Sequence, residues 1–516
     1  MKPELFNSLK NYKKKYIFND LMAGLMVAII ALPLSIALGI QSVPSEVSQN
    51  GIQFGIITAI VAGFFISFLG GSKFQIGGPT AAFVVILYGY LLDPEIGVLG
   101  LAVSGIIAGV ILILLGLLRA GNVMKLFPYP ITIGFTTGIG VTLLIGQIKD
   151  LCGLNPAGAT EAVEKLINYA KAISTFNGWT FLVGAIGLLC VIFLPKINKK
   201  IPSALVAIVV CTLATLLLNN AAGANIATIG STYGEIKAGF YPINLSLFGT
   251  LKFSKLIVPA IVIAFLCAIE SLLSATVASG MTCTKFNPNQ ELIGQGVANI
   301  CSSLVGGLPA TGAIARTAAG IENGAKSPLA GMFHAIFLLI MYFALMGVLG
   351  SIPLCVFASI LISVAINMSR FPLFLRLTRF GVRDTVILLV TCALTIIFDL
   401  TYGVLGGVLV TVLLNIGSMR TGLRLKGQYE DSRYILEADG ALYFVNAGKL
   451  INILGNELDR ADSLVLDMKK VTSIDETALE KLSSFNKSLI AKGKKLSIIN
   501  CNDKVKKRLD KFYGVI

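Results

Sequence analysis

Two ionisable residues stand where an apolar chain should not tolerate them. Glu270 is the sole charged residue between Ile257 and Ala278, and Arg316 is the sole one between Leu308 and Ile321. A charge at the centre of such a run costs roughly 2.5 to 3.5 kcal/mol on the insertion scale, so each needs a purpose. A carboxylate there is suited to taking up a proton on one side of a barrier and releasing it on the other. A guanidinium there is suited to holding an anion. Two plainer readings compete: Arg316 reaches out to a polar surface, or the two residues form a permanent ion pair. Thr80, Thr311 and Thr317 offer hydroxyls, although threonine in apolar helices commonly bonds back to its own backbone. His334, the one histidine, reads as a hydrogen-bonded packing residue, and Asp399 as interfacial. The chain has no metal-ligand cluster, nucleophile elbow, Walker loop or dinucleotide fingerprint, so it reads as neither an enzyme nor a nucleotide-driven pump, with no cofactor.

The backbone around these residues is also unusual. Gly77-Gly78-Pro79-Thr80-Ala81-Ala82 and Gly306-Gly307-Leu308-Pro309-Ala310-Thr311-Gly312-Ala313 are similar breaks, about 230 residues apart, each leading into an apolar helix. Irregular backbone at membrane depth is tolerated only inside protein or beside a cavity. A helix starting there presents free N–H groups and a partial positive charge. Two such ends facing each other, with Arg316 one turn into the second, form a site for a small anion.

The surrounding elements follow from hydropathy. The 516 residues are 55% hydrophobic and 13% charged, which excludes a soluble globule. About fourteen apolar segments begin near positions 21, 52, 79, 96, 129, 178, 202, 256, 290, 312, 328, 352, 384 and 402. The polar, Lys-rich first twenty residues argue against a cleaved signal peptide. The net charge of +15 lies beside the spans, which favours positive-inside topology over nucleic acid binding. With Lys2, Lys10, Lys13, Lys14 and Lys15 in the cytoplasm, the basic sites Lys73, Arg119, Lys125, Lys196, Lys199, Lys200, Lys285, Lys326, Arg370, Arg376, Arg379 and Arg383 share that side. Lys149, Lys165, Lys171, Lys237, Lys252 and Lys255 fall on the other. Seven spans per half make the second half enter upside down, the inverted-repeat plan of secondary transporters. The nine cysteines are scattered and read as small apolar residues.

These segments resemble the SulP-type anion permeases. The resemblance is carried by Asp20-Leu21-Met22-Ala23-Gly24-Leu25 with Ala31-Leu32-Pro33, by Gly70-Gly71-Ser72-Lys73 through Ala82, and by Glu270-Ser271-Leu272-Leu273-Ser274-Ala275. Asn289 through Gly296 and Gly312-Ala313-Ile314-Ala315-Arg316-Thr317 complete it. It implies an α-helical membrane protein of two inverted seven-span repeats, arranged as core and gate. By position Leu34, Leu38, Pro79, Thr80, Ala81, Ala313, Ile314, Ala315 and Arg316 would face the substrate, and Glu270 would couple protons. Many members carry Gln where this chain has Leu34, and animal members carry serines where it has Ala313 and Ala315. Backbone N–H groups would then carry more of the recognition, leaving sulfate, bicarbonate and C4-dicarboxylates open, with sodium as the alternative co-ion through Ser274 and Thr311. The family also implies a homodimer in the plasma or inner membrane.

The charged C-terminal stretch reads as a small α/β unit: strand Ala441 to Val445, helix Gly448 to Arg460, strand Ser463 to Asp467, helix Glu476 to Lys492, strand Lys495 to Asn500 and helix Asp503 to Phe512. Leu464-Val465-Leu466-Asp467 and Ile474-Asp475-Glu476-Thr477-Ala478 resemble a STAS domain, in which antagonist proteins carry a phosphorylatable Ser where this chain has Glu476. A trafficking, dimerisation or partner-binding role is expected instead. The expected organisation is a cytoplasmic segment 1–20, a transport region 21–421 and a cytoplasmic STAS domain 430–516.

Overall fold

The computed structural model describes every residue except 1, 11, 122–127, 160, 199–200, 245–248, 250, 283, 370, 379–380, 399, 420–422, 431–432, 458–462, 491–493, 495 and 514–516. Lys125, Lys199, Lys200, Cys283, Arg370, Arg379, Asp399, Arg460, Lys492 and Lys495 therefore lie outside the described residues. The chain divides into two compact units, one of Met1–Lys125, Ile139–Ser279 and Thr284–Met368, the other of Leu126–Gly138, Gly280–Cys283 and Ser369–Ile516.

After a short helix α1 (Glu4–Lys10), a first set of apolar helices runs α2 (Lys15–Ser42), α3 (Gly51–Leu69), α4 (Ala81–Leu92), α5 (Gly97–Leu117) and α6 (Tyr129–Cys152). Loop helix α7 (Ala162–Lys171) precedes α8 (Gly178–Ile197) and α9 (Ser203–Ala222), and a turn of helix, α10 (Ile229–Tyr233), closes the half. The second set is α11 (Phe253–Thr282), α12 (Pro288–Leu304), α13 (Ile314–Glu322), α14 (Leu329–Leu349) and α15 (Leu354–Ser369). After the short α16 (Phe371–Leu377) it ends in α17 (Val382–Ile397) and α18 (Leu400–Met419). Each expected apolar segment is thus a helix within a few residues of its expected start, and nine among the described residues are long and apolar enough to cross a bilayer alone.

The third member of each set is short. At 1.5 Å per residue, α4 with 12 residues and α13 with 9 cover well under the roughly 30 Å of a hydrocarbon core. Extended backbone supplies the rest: β1 (Gly77–Gly78) pairs antiparallel with β2 (Thr311–Gly312), matching Gly77 to Gly312 and Gly78 to Thr311. That antiparallel crossing is what two oppositely inserted copies of one repeat require. It also satisfies backbone groups that hydrocarbon could not.

Buried polar residues lock these extended segments. Glu291 of α12 accepts the N–H groups of Gly71 and Ser72 at 2.9 and 3.0 Å, and takes Gln295 Nε2 at 2.9 Å. Asn299 donates to Ala310 O at 2.9 Å and accepts its N–H at 2.8 Å. Asp20 receives Tyr12, Ser327 and the Lys326 N–H, tying the start of α2 to the loop before α14. Much of the motif sequence that carries the family resemblance is therefore internal bracing.

In the second unit, β3 (Arg424–Glu430), β4 (Arg433–Leu442), β5 (Ser463–Ile474) and β6 (Leu496–Ile499) form one sheet in that order. β3 pairs antiparallel with β4, and the β4–β5 and β5–β6 pairs are parallel. Helices α19 (Phe444–Asn456), α20 (Glu476–Ile490) and α21 (Asp503–Tyr513) follow β4, β5 and β6. The core of this sheet is Leu436, Leu450, Leu466, Met468, Leu479 and Leu482. Two expectations are corrected. The strand expected over Ala441 to Val445 is the end of β4, because Asn446 Oδ1 accepts the Tyr443 N–H at 2.8 Å and starts α19 at Phe444. β3 was not expected, since it is an edge strand exposed along nearly its whole length and carries no apolar alternation.

Candidate functional site

Pro79, Thr80 and Ala81 follow β1 directly, Ala313 to Arg316 follow β2, and Glu270 is joined to Thr80. Arg316 leaves the first turn of α13 and is 1% exposed, so it does not reach a polar surface. Its Nη1 donates to Gly77 O at 3.1 Å, and its Nη2 to Ser35 Oγ at 3.1 Å and Pro79 O at 3.4 Å. No carboxylate among the described residues lies within 4.0 Å of it. The permanent ion pair with Glu270 is not formed. The guanidinium is thus held by three neutral oxygens and keeps its full charge uncompensated in a place of low dielectric.

Gly78 makes this arrangement possible. Its φ of +149° disfavours a side chain, and a Cβ there would sit 1.8 Å from Arg316 Nη1. Ser35, which donates to Ala31 O at 2.7 Å while accepting Arg316, was missed by the sequence reading. A serine bonding back to its own helix gives no sequence signal of a partner 281 residues away.

Thr80 occupies the N-cap of α4 in extended conformation, yet its hydroxyl does not cap the helix. It donates to Glu270 Oε2 at 3.0 Å. The first N–H groups of α4, at Ala81 and Ala82, are left for another acceptor, and so are those of α13 at Ile314 and Ala315, whose N-cap Ala313 has no side-chain oxygen. Leu34, Ile314 and Glu270 are half-buried and Ala315 is exposed, whereas Leu38, Pro79, Thr80, Ala81 and Ala313 are buried. Thr311 and Thr317 are engaged elsewhere: Thr311 Oγ1 lies 2.7 Å from Ser271 Oγ, and Thr317 Oγ1 accepts the Ile76 N–H at 3.1 Å. His334 is buried against α3, and a Cβ on Gly63 would lie 3.5 Å from its ring; it packs without the expected hydrogen bond.

Electrostatically the site combines donors, two helix N-termini and one uncompensated guanidinium, with one acceptor, a carboxylate whose partner is a hydroxyl. Three Arg316 N–H groups are taken by protein oxygens while Nε meets no acceptor among the described residues, so an anion here meets its field and the unfilled part of the fork. The described residues hold no group of His, Cys, Asp and Glu able to bind a metal ion.

Residues 17–391 match the sulfate permease family and residues 425–513 match the STAS domain. The chain belongs to the sulfate permease family. It is 36% identical to the putative sulfate transporter YvdB of Bacillus subtilis, across 97% of this chain and 95% of that one. It is 29% identical to the bicarbonate transporter BicA of Picosynechococcus, across 96% and 90%. The transmembrane domain of a cyanobacterial BicA superposes with a TM-score of 0.68 at 28% identity, covering 76% of this chain and 98% of that one. The overall structure of SLC26A9 shares the fold at a TM-score of 0.69 and 20% identity, covering 98% and 88%. This sulfate permease family member is accordingly a multi-pass membrane protein and an anion transporter, not an enzyme, with a C-terminal STAS domain.

Within the STAS domain, Asp475 braces two helix starts, accepting the Phe444 and Ala478 N–H groups at 2.7 Å each. Glu476, at the position of the antagonists' serine, is buried and turned inward. Among the described residues neither of its oxygens meets a donor. It faces the Asp384 carboxylate of α17, with Arg508 near: a Cβ on Gly381 would lie 3.5 Å from Asp384 Oδ2, 3.9 Å from Glu476 Oε1 and 3.1 Å from Arg508 Nη2. Burial first, and the Asp384 carboxylate second, push the Glu476 carboxyl well above the ordinary range. Thr477 Oγ1 accepts the Tyr129 N–H of α6 at 2.8 Å. This corner of the domain is therefore an internal contact with the membrane helices of its own unit.

Proposed function

We propose that this protein is a secondary active transporter of a small oxyanion, sulfate or a related inorganic anion, driven by protons through Glu270. The observation that carries the proposal is the Thr80–Glu270 hydrogen bond beside the uncompensated Arg316. Among the described residues Glu270 has no cation within 4.0 Å, so protonation removes a charge that none of them neutralises by direct contact. A change in its protonation releases or tightens Thr80, which heads the helix whose N–H groups would meet the anion. Binding thereby becomes linked to the proton, as coupling requires.

Substrate contacts are assigned to Leu34, Leu38, Pro79, Thr80, Ala81, Ala313, Ile314, Ala315 and Arg316, with alternating access by movement of core against gate. The same reading places both termini in the cytoplasm, segment 1–20 and domain 430–516 outside a transport region 21–421, and two copies in the working assembly. The STAS domain is assigned to regulation or partner binding.

A bicarbonate carrier coupled to sodium is the second reading, favoured by similarity to BicA. It is weakened by the sodium candidates themselves, because Thr311 is bonded to Ser271 and Ser274 Oγ donates to Thr317 at 3.5 Å. C4-dicarboxylate remains in the test. Proteoliposomes are loaded with each gradient in turn and offered labelled sulfate, bicarbonate, succinate and fumarate. Proton-driven accumulation of an inorganic anion, lost in Glu270→Gln with anion exchange retained, is the expected outcome. Undiminished pH-driven uptake by Glu270→Gln would falsify the coupling assignment.

A further inference from the structure

On the topology proposed above, six lysines fall on the side opposite most of the basic residues, in longer loops where the charge bias is weaker. Lys252 and Lys255 share the Glu95 carboxylate at 2.5 and 3.0 Å, and Lys237 meets Glu235 at 3.6 Å. Lys171 is exposed at the end of α7. Lys149 and Lys165 are different, because both line a cavity of about 500 Å³ in the first unit.

The cavity is lined by the C-terminal ends of α2 and α6 and by residues of α4, α7 and α10. None of the residues of the central site lines it. Lys149, Lys165, Tyr88, Tyr169 and Tyr233 are among its lining residues. Among the described residues the Lys165 ammonium has no carboxylate within 4.0 Å, and it lies 5.5 Å from the Tyr88 ring centroid. Burial, with the Lys149 charge second, holds it below its ordinary range. The hydroxyls of Tyr88, Tyr169 and Tyr233 line the same space and bond to no other described residue. Two carboxylates also face it. Asp150 is already taken up by Gln41 Nε2 at 2.8 Å and by Lys149 at 4.0 Å, and Glu46 is exposed. Of the acceptors, Gln147 Oε1 is buried without a donor.

The Lys165 ammonium, half-buried and without a carboxylate within 4.0 Å among the described residues, and three tyrosine hydroxyls lining the same space, lack an acceptor of the kind an oxyanion supplies. We propose that this cavity is a second anion site, a capture station for the transported oxyanion, held by Lys149, Lys165, Tyr88, Tyr169 and Tyr233. The ligand class rests on the transport reading above. The site concentrates the anion at one mouth of the pathway and hands it on toward α4, along which Val84 and Val85 line its floor.

The test uses the purified full chain and labelled sulfate, bicarbonate and succinate as probes. Equilibrium binding should give two anions per chain in the wild type. Lys149→Gln/Lys165→Gln should lose one, Arg316→Gln the other, and Lys165→Arg should keep both. The sole tryptophan, Trp179, stands between the cavity-lining Asn177 and Thr180, so its emission should respond to anion in Arg316→Gln and not in the lysine variant. In proteoliposomes the lysine variant should raise KM five- to tenfold from one face only, with the maximal rate kept. One anion per chain, abolished by Arg316→Gln and untouched by the lysine changes, overturns the capture site and leaves the transport reading standing. Sodium binding at the lysine-dependent site without anion overturns it too. Absence of all anion binding overturns both.

Discussion

Replacing Gly78 by alanine tests the central electrostatic argument without removing any charged or hydrogen-bonding group. The new Cβ would fall 1.8 Å from Arg316 Nη1 and 3.0 Å from its Cζ, so the guanidinium must retreat by well over an ångström. Its bonds to Gly77 O and Ser35 Oγ, both 3.1 Å, cannot survive that move. A hydrogen bond to a charged group contributes about 1.5 to 3 kcal/mol. With water replacing part of the loss, a net of about 2 to 3 kcal/mol in anion binding is expected, or roughly 30- to 150-fold in kcat/KM at about 1.36 kcal/mol per decade. The strained φ adds about 1 to 2 kcal/mol to the cost of folding, which a thermal-stability control separates from the loss of function. The assay is the initial rate of labelled anion uptake into proteoliposomes over a concentration series. Because Gly78→Ala acts through Arg316, the double variant with Arg316→Gln should be no worse than Arg316→Gln alone. Uptake by Gly78→Ala within threefold of wild type, or a double variant whose losses multiply, would refute the reasoning.

Thr80→Val should uncouple uptake from pH while Thr80→Ser preserves it, since only the hydroxyl reaches Glu270; equal pH profiles in the two would contradict this. Ser35→Ala leaves Arg316 Nη2 only the 3.4 Å contact to Pro79 O and should lower kcat/KM about tenfold, a smaller loss than Gly78→Ala. In the STAS domain the sign follows from a carboxyl whose folded value is raised: above the ordinary glutamate value of 4.5 the unfolded chain loses the proton first, so stability falls as pH rises. Glu476→Gln should therefore flatten the pH dependence of thermal unfolding and raise the midpoint by several degrees at pH 8, with little change at pH 4. A wild-type midpoint that climbs between pH 5 and pH 8 in parallel with the variant's speaks against the buried acid pair.

The membrane helices could be read directly because a bilayer demands long apolar runs and satisfies no backbone group by itself. The two broken segments were legible for the same reason, since Gly-Gly-Pro at that depth has few uses. The residues that brace the crossing were not. Glu291 appears in the sequence as one motif residue among eight, and only the fold shows it receiving Gly71 and Ser72, about 220 positions earlier. The STAS helices were found from periodicity, whereas β3 lacked it, and the meeting of Glu476 with Asp384 joins residues of two separate sequence regions.

Arg316 and Glu270 mark the division most clearly. An apolar context is enough to show that each is costly and needs a purpose. Their relation to one another depends on where two half-helices meet: the chain brings Thr80 to Glu270, and Gly77, Pro79 and Ser35 to Arg316. Composition and hydropathy are local properties and survive in one dimension. A polar partner in the membrane is selected by register and distance across hundreds of residues, and those exist only after the chain has folded.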